Sequence, residues 1–205
     1  MGARERIFSS ARRALEGRSE VALPPVPEET VLPDGEAFRL FEGRLAASGA
    51  RVARLSTSDE AVAFLAEAEA GRANACSGRD VPPPLRPRLP EAPPEEAELG
   101  VSLALGGVAE TGSVVLGSGE GRRNQLLVPR HLVWLPEERL YGSLLAALAA
   151  SRATPASALA LHSGPSKSAD IGQIMVKGVH GPGELWVGVL AFASGPASGP
   201  REPPG

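Results

Sequence analysis

The stretch VSLALGGVAETGSVVLGS, residues 101–118, decides how the rest of the chain is read. Two apolar runs, 101–109 and 113–118, are rich in Val and Leu, with turn residues between them. Short runs of this kind, bounded by turn formers, read as buried strands. RVARL (51–55), RANACS (72–77), RHLVWLP (130–136), SALALHS (157–163) and ELWVGVLAFA (184–193) extend the set. Between them lie helical patterns. Residues 3–16 place Ile7, Phe8, Ala11, Ala14 and Leu15 on one stripe, and 35–48 do the same with Phe38, Phe41 and Leu45. Thr57 and Glu60 have capping-box spacing ahead of Val62, Phe64 and Leu65. A helix opening at Pro136 is expected to carry Leu140, Leu144, Leu145 and Leu148. Strands alternating with helices predict an α/β fold, a layered and mostly parallel sheet flanked by helices.

Residues 1–34 are expected to form an N-terminal helix and an extended arm, 35–192 one α/β domain, and 193–205 a disordered tail. Within the domain, VPPPLRPRLPEAPPEEAE (81–98) carries seven prolines, which predicts a surface loop without regular structure. The apolar stripe of the first helix needs cover, either on the domain or on a second copy, so a homo-oligomer is allowed.

Composition removes several classes of function. The net charge is −3, so no basic field holds a nucleic-acid backbone. Cys76 is the only cysteine, which leaves no disulfide and no cysteine-ligated cluster or structural zinc within one chain. No His/Asp/Glu spacing suggests a metal site. No apolar run is long enough to span a membrane, and the Arg-rich start lacks the apolar centre of a secretory signal. A cytoplasmic protein is the default expectation.

Three stretches could carry chemistry. In HSGPSKSADIGQIMVKGVHGP (162–182), a strand is expected to feed a loop and then a helix capped by Ser168, with Asp170 in its first turn. In α/β sheets such loops sit at the carboxyl ends of strands, and free N–H groups at the helix start attract anions. Ser163, Gly164, Ser166, Lys167 and Ser168 would line that site. A capped turn without a ligand explains the same residues. In VAETGSVVL (108–116), Glu110 and Thr111 fall at a strand end, where Glu110 could be a nucleophile or base. The alternative is a polar turn around Gly112. His180, just before Gly181-Pro182, could bond a carboxylate or phosphate, whereas His131 and His162 lie on apolar runs and read as packed. GSGEGR (117–122) lacks the last glycine of a dinucleotide loop and reads as a flexible loop; the residue before Lys167 is Ser166, which excludes a Walker A loop.

Taken together, AETGSVVL, LLVPRHLVWLPEERL, SGPSKSADI and KGVHGPGELWV resemble the lactate-utilisation protein C family, whose shared unit is the LUD domain. The resemblance runs over about residues 100–192 and more weakly over 35–70. Ser113 and Ser168 stand where the family has threonine, and Gly172 where it commonly has glutamate. The resemblance implies a fold like that of the glucosamine-6-phosphate isomerase, ribose-5-phosphate isomerase and CoA-transferase group. It also implies a part in oxidising L-lactate to pyruvate, with the iron–sulfur clusters on partner subunits and none on this chain. The leading expectation is an accessory or ligand-binding subunit that holds a small anion. The alternatives are a stand-alone CoA-transferase-like enzyme with Glu110 as nucleophile, and a structural subunit with a vestigial pocket.

Overall fold

A computed structural model describes residues 2–16, 32, 35–152, 156–169, 175–178 and 180–192, with the backbone alone at 168–169 and 175–177. Most of the arm, the tail, Asp170 and Gly172 therefore lie outside the described residues. The helices are α1 (Ala3–Leu15), α2 (Glu36–Ala47), α3 (Ser58–Glu69), α4 (Arg122–Leu126) and α5 (Leu144–Ser151). The strands are β1 (Arg51–Leu55), β2 (Ala75–Ser77), β3 (Leu99–Leu103), β4 (Gly106–Val108), β5 (Ser113–Gly117), β6 (Arg130–Pro136), β7 (Leu140–Tyr141), β8 (Leu159–His162), β9 (Lys167–Ala169), β10 (Met175–Lys177) and β11 (Glu184–Leu190).

Five strands form an all-parallel sheet in the order β1-β11-β6-β3-β2. Both faces of such a sheet must be covered, and the two sets of side chains along β6 show how. Leu132 and Trp134 point into one core with Phe64 and Leu65 of α3 and Trp186 of β11. Val133 and Leu135 point into the other with Phe41 and Leu45 of α2 and Val114 and Leu116 of β5. Phe64 stands 6.2 Å from Trp134 and 5.4 Å from Trp186, so the few aromatics are spent on one side of the sheet. On the other side lies a four-stranded sheet, β7-β4-β5-β8, whose outer face packs Val108 and Val115 on Ala147 of α5.

Thr57 caps α3 as expected, its Oγ1 accepting from the Glu60 N–H at 3.2 Å, but the Glu60 carboxylate reaches one residue further back and accepts from the Ser56 N–H at 2.7 Å. Two other expectations are corrected. The long helix expected from Pro136 does not form: Leu135 and Pro136 are still laddered to Val189 and Leu190, and only a turn of 3-10 helix, Glu137–Arg139, follows. Leu140 then pairs with Gly107, and α5 waits for Ser143, whose Oγ accepts from the Ala146 N–H at 3.2 Å. The proline-rich stretch is no detached surface loop. Val81 and Leu85 are buried in the α3-side core, Trp134 Nε1 donates to the Leu85 carbonyl at 3.0 Å, and Pro83–Leu85 makes a turn of 3-10 helix. Burial of a side chain such as Leu85 is worth about 1.5–3 kcal/mol. Finally, α1 buries none of its residues: Ile7, Phe8 and Leu15 are all exposed.

Candidate functional site

The turn between β4 and β5 is built around Gly112. Its φ is +61°, and a Cβ there would come within 2.7 Å of Arg44 Cβ and of the Leu45 backbone nitrogen. Only glycine lets this turn lie against α2. The turn presents Thr111, whose Oγ1 is 2.7 Å from Ser113 Oγ, and Ser113 Oγ is 2.6 Å from Ser163 Oγ. Fifty residues of chain separate Ser113 and Ser163, so β5 and the end of β8 are joined through a run of three hydroxyls.

From Ser163 the chain crosses the end of α2. A Cβ on Gly164 would approach Ser48 Cβ to 2.8 Å, and Lys167 Nζ donates to the Ser48 carbonyl at 2.5 Å. A cation at a helix C-terminus meets the negative end of the helix dipole. Ser166 holds the third loop: its N–H donates to the Pro182 carbonyl at 2.7 Å, its carbonyl accepts from the Gly178 N–H at 3.0 Å, and its Oγ accepts from the His180 N–H at 3.3 Å.

These bonds overturn the expected helix cap at Ser168. With Ser166 pinned on both sides, the chain stays extended as β9 and pairs antiparallel with β10, Lys167 opposite Lys177 and Ser168 opposite Val176. Ser168 is a strand residue, not a helix cap, and among the described residues no helix N-terminus faces loop 163–168; residues 170–174 of the expected helix lie outside the described residues. Loop 163–166 follows the carboxyl end of β8 and the Gly112 turn that of β4, as expected, but both belong to the four-stranded sheet. Against the parallel sheet, loop 163–167 lies at the amino-terminal edge, since Ser48 stands three residues ahead of β1 and Pro182 two ahead of β11.

Hydrogen bonds thus join Thr111 to Ser163 through Ser113, while Ser166 and Lys167, later in the same loop, are held separately on Pro182, Gly178, the His180 N–H and Ser48. Glu110 is turned to another task. Its Oε1 accepts from the Leu144 N–H at 2.6 Å, and its own N–H donates to the Gly142 carbonyl at 3.1 Å, so the carboxylate sits on the first turn of α5. Asp170 falls outside the described residues.

The edge of the sheet holds a charge cluster that sequence reading missed. Glu184 accepts from Arg72 Nη2 and Arg130 Nε, both at 2.8 Å, while Arg130 Nη1 donates to the Ala68 carbonyl at 2.8 Å. Arg51 and Arg130 lie 4.2 and 4.9 Å from the centre of the Trp186 ring. This clamp fixes the entry to β11, directly after His180-Gly181-Pro182.

Two buried polar groups complete the picture. His131 is fully buried, with Nε2 2.9 Å from Ser102 Oγ and its ring 5.6 Å from that of His162. Burial, and to a lesser degree His162, pushes its pKa down to about 3; burial lowers that of His162 as well. Both are packed histidines, as their apolar runs suggested. Glu120 corrects the reading of 117–122 as a flexible loop. It is buried and accepts from the Asp80 and Leu103 N–H groups at 2.8 and 3.0 Å. Desolvation raises its pKa against those bonds. Nearby, Cys76, Glu91, Pro93 and Asn124 line an open hollow of about 460 Å³. Burial pushes the Cys76 thiol up to about 11, which makes it a poor nucleophile.

The comparisons with known proteins bear on the same residues. Residues 94–190 match the LUD domain, and thus take in all three loops. The chain is 28% identical over 199 residues to a lactate utilization protein C from Deinococcus radiodurans, covering 90% of this chain and 93% of that one. It is 38% identical over 96 residues to a lactate utilization protein C from Halalkalibacterium halodurans, covering 43% of this chain and 42% of that one. In three dimensions it resembles the crystal structure of a DUF162 family protein from Deinococcus radiodurans. The TM-score is 0.61 at 19% identity, over 78% of this chain and 99% of that one, which speaks to the fold. The domain match and both relatives agree with the motifs in the three loops: residues 94–190 match the LUD domain, and the chain is similar to lactate utilization proteins C.

Proposed function

We propose that this protein serves lactate utilisation as an accessory, ligand-binding subunit, and that its polar surface holds a small carboxylate. The names of its relatives supply the pathway. The observation that carries the ligand is the hydroxyl run Thr111–Ser113–Ser163, assembled from parts of the chain about fifty residues apart, on the same loop as Lys167. An ammonium has three donors. Lys167 uses one on the Ser48 carbonyl, and its exposed side chain leaves others for an anion. Glu110 favours this reading over a CoA-transferase-like enzyme, because its carboxylate is already engaged at the start of α5.

On this proposal the redox step belongs to partner subunits with iron–sulfur clusters. A single buried cysteine gives this chain no cluster of its own. The test is isolation of the protein from its native host, with iron and flavin analysis of the associated material. Co-isolation with iron–sulfur polypeptides and lactate-dependent reduction of an acceptor is the expected result. A chain recovered alone, from cells oxidising lactate, would remove the accessory-subunit reading.

A further inference from the structure

We propose that His131 and His162 form an acid-sensitive latch: uptake of a proton by the pair frees the edge strand β8 from the body of the domain. The first observation is where the two rings meet. Leu159 and Leu161 of β8 are exposed, so His162 turns to the inner face of its sheet, opposite Val114 of the core between the sheets. His131 lies two residues ahead of Val133, on the face of β6 that lines the same core. The ring centres are 5.6 Å apart and meet edge to face. This contact joins the edge of the four-stranded sheet to the parallel sheet beneath it.

The second observation is that the pair has no provision for a charge. His131 is fully buried; its Nε2 uses Ser102 Oγ, and its Nδ1 has no partner among the described residues. A protonated imidazole has two N–H donors. The second would lack an acceptor in the apolar core, and an unmade bond costs most when the group is charged. The strands around the pair bring no countercharge. β3, β4 and β5 bear no charged residue. On β6 and β11 the charged residues are Arg130 and Glu184, which are bonded to each other. Further along the chain from His162, Lys167 is held on the Ser48 carbonyl. Burial lowers the pKa of both rings, and the His162 ring adds to the lowering at His131.

The third observation is that β8 can leave without dismantling a core. It pairs with β5 alone, and no residue of β8 is fully buried. Swinging His162 outward hydrates its ring and leaves His131 under the remaining sheet. Ser163 follows directly, so the Ser113–Ser163 bond is broken with it. The latch stands on these contacts whether or not the hydroxyl run holds a ligand.

The test is hydrogen exchange of the full chain at about pH 7 and about pH 5, corrected for the intrinsic exchange rate. The released strand takes up its proton at the ordinary histidine value of about 6.5, and the latched strand below it. The latch is therefore complete above that value and weakens as pH falls. One proton coupled to release lowers protection by up to about tenfold per pH unit. Peptides covering 159–163 are expected to lose about tenfold of their protection, while those covering 132–135 and 185–190 keep theirs. His162→Phe keeps an aromatic ring and removes the proton, so its β8 should be equally protected at both pH values. His162→Gln makes the same comparison without the larger ring. Proton NMR titration of the wild type supplies an independent arm, in which His162 should protonate only as β8 opens. Equal protection of wild-type β8 at both pH values overturns the proposal. So does an equal loss in both His162 variants, an equal loss across β6 and β11, or a His162 that titrates at the ordinary value with β8 still protected.

Discussion

Lys167 Nζ and the Ser48 carbonyl meet at 2.5 Å across 119 residues of chain, and this one bond sets loop 163–167 on the C-terminal end of α2. The lysine then has two roles to separate, holding the loop and meeting a ligand. Loss of the first in Lys167→Ala should cost about 1 kcal/mol, the scale of an exposed charge at a helix end. The melting temperature should fall by a few degrees. Raised salt should narrow the gap between variant and wild type, because screening weakens the same contact. Melts of both proteins at low and high salt measure this.

Glu110→Ala should destabilise the protein by about 0.5–2 kcal/mol, as for the loss of a helix cap, since the Leu144 N–H would lose its acceptor. Glu110→Gln keeps an acceptor oxygen and should cost less. The two variants should differ in denaturant midpoint and agree in ligand affinity. Abolition of a measurable acyl transfer by Glu110→Gln, with stability intact, would instead mark the carboxylate as a nucleophile.

Acid should unfold this protein partly through His131. Its pKa lies near 3 in the folded chain because burial disfavours the charged ring, against about 6.5 unfolded. The unfolded chain therefore takes up a proton that the folded chain refuses. The contribution of the neutral ring is complete above pH 6.5 and drains away as pH falls towards 3, by up to about 1.4 kcal/mol per pH unit. His162 is shifted in the same direction. Denaturant titrations from pH 7 to pH 4 should show a shallower slope for His131→Gln than for the wild type.

Local pattern made much of the fold readable. α2, α3, β1, β6, β8 and β11 each announce themselves by periodicity, capping residues or an apolar run, and all form. The errors arise where a distant partner overrules a local signal. Ser-Ala-Asp at 168–170 looks like a helix start, yet Ser166 is tied to Pro182, and the chain runs into β9 instead. Pro136 looks like a helix opener, but the ladder to Leu190 keeps it in β6.

The candidate site divides the same way. Its residue types stood out in the sequence. Its place at the amino-terminal edge did not, because the Lys167–Ser48 and Arg72–Glu184 contacts join positions more than a hundred residues apart. Nothing in the 117–122 stretch marked Glu120 for burial either; its acceptor role depends on Asp80, in the turn after β2, and Leu103, at the end of β3.

The claim that the hydroxyl run holds a small carboxylate is tested most directly by calorimetric titration of L-lactate and pyruvate into the wild type and Ser163→Ala. Ser163 is exposed, so its loss should leave folding nearly unchanged while removing one donor to the ligand. A hydrogen bond to a charged group is worth about 1.5–3 kcal/mol. The account predicts saturable binding to the wild type and about 10- to 100-fold weaker binding to Ser163→Ala. Equal affinity in the two proteins, or no heat of binding with either anion, would contradict it.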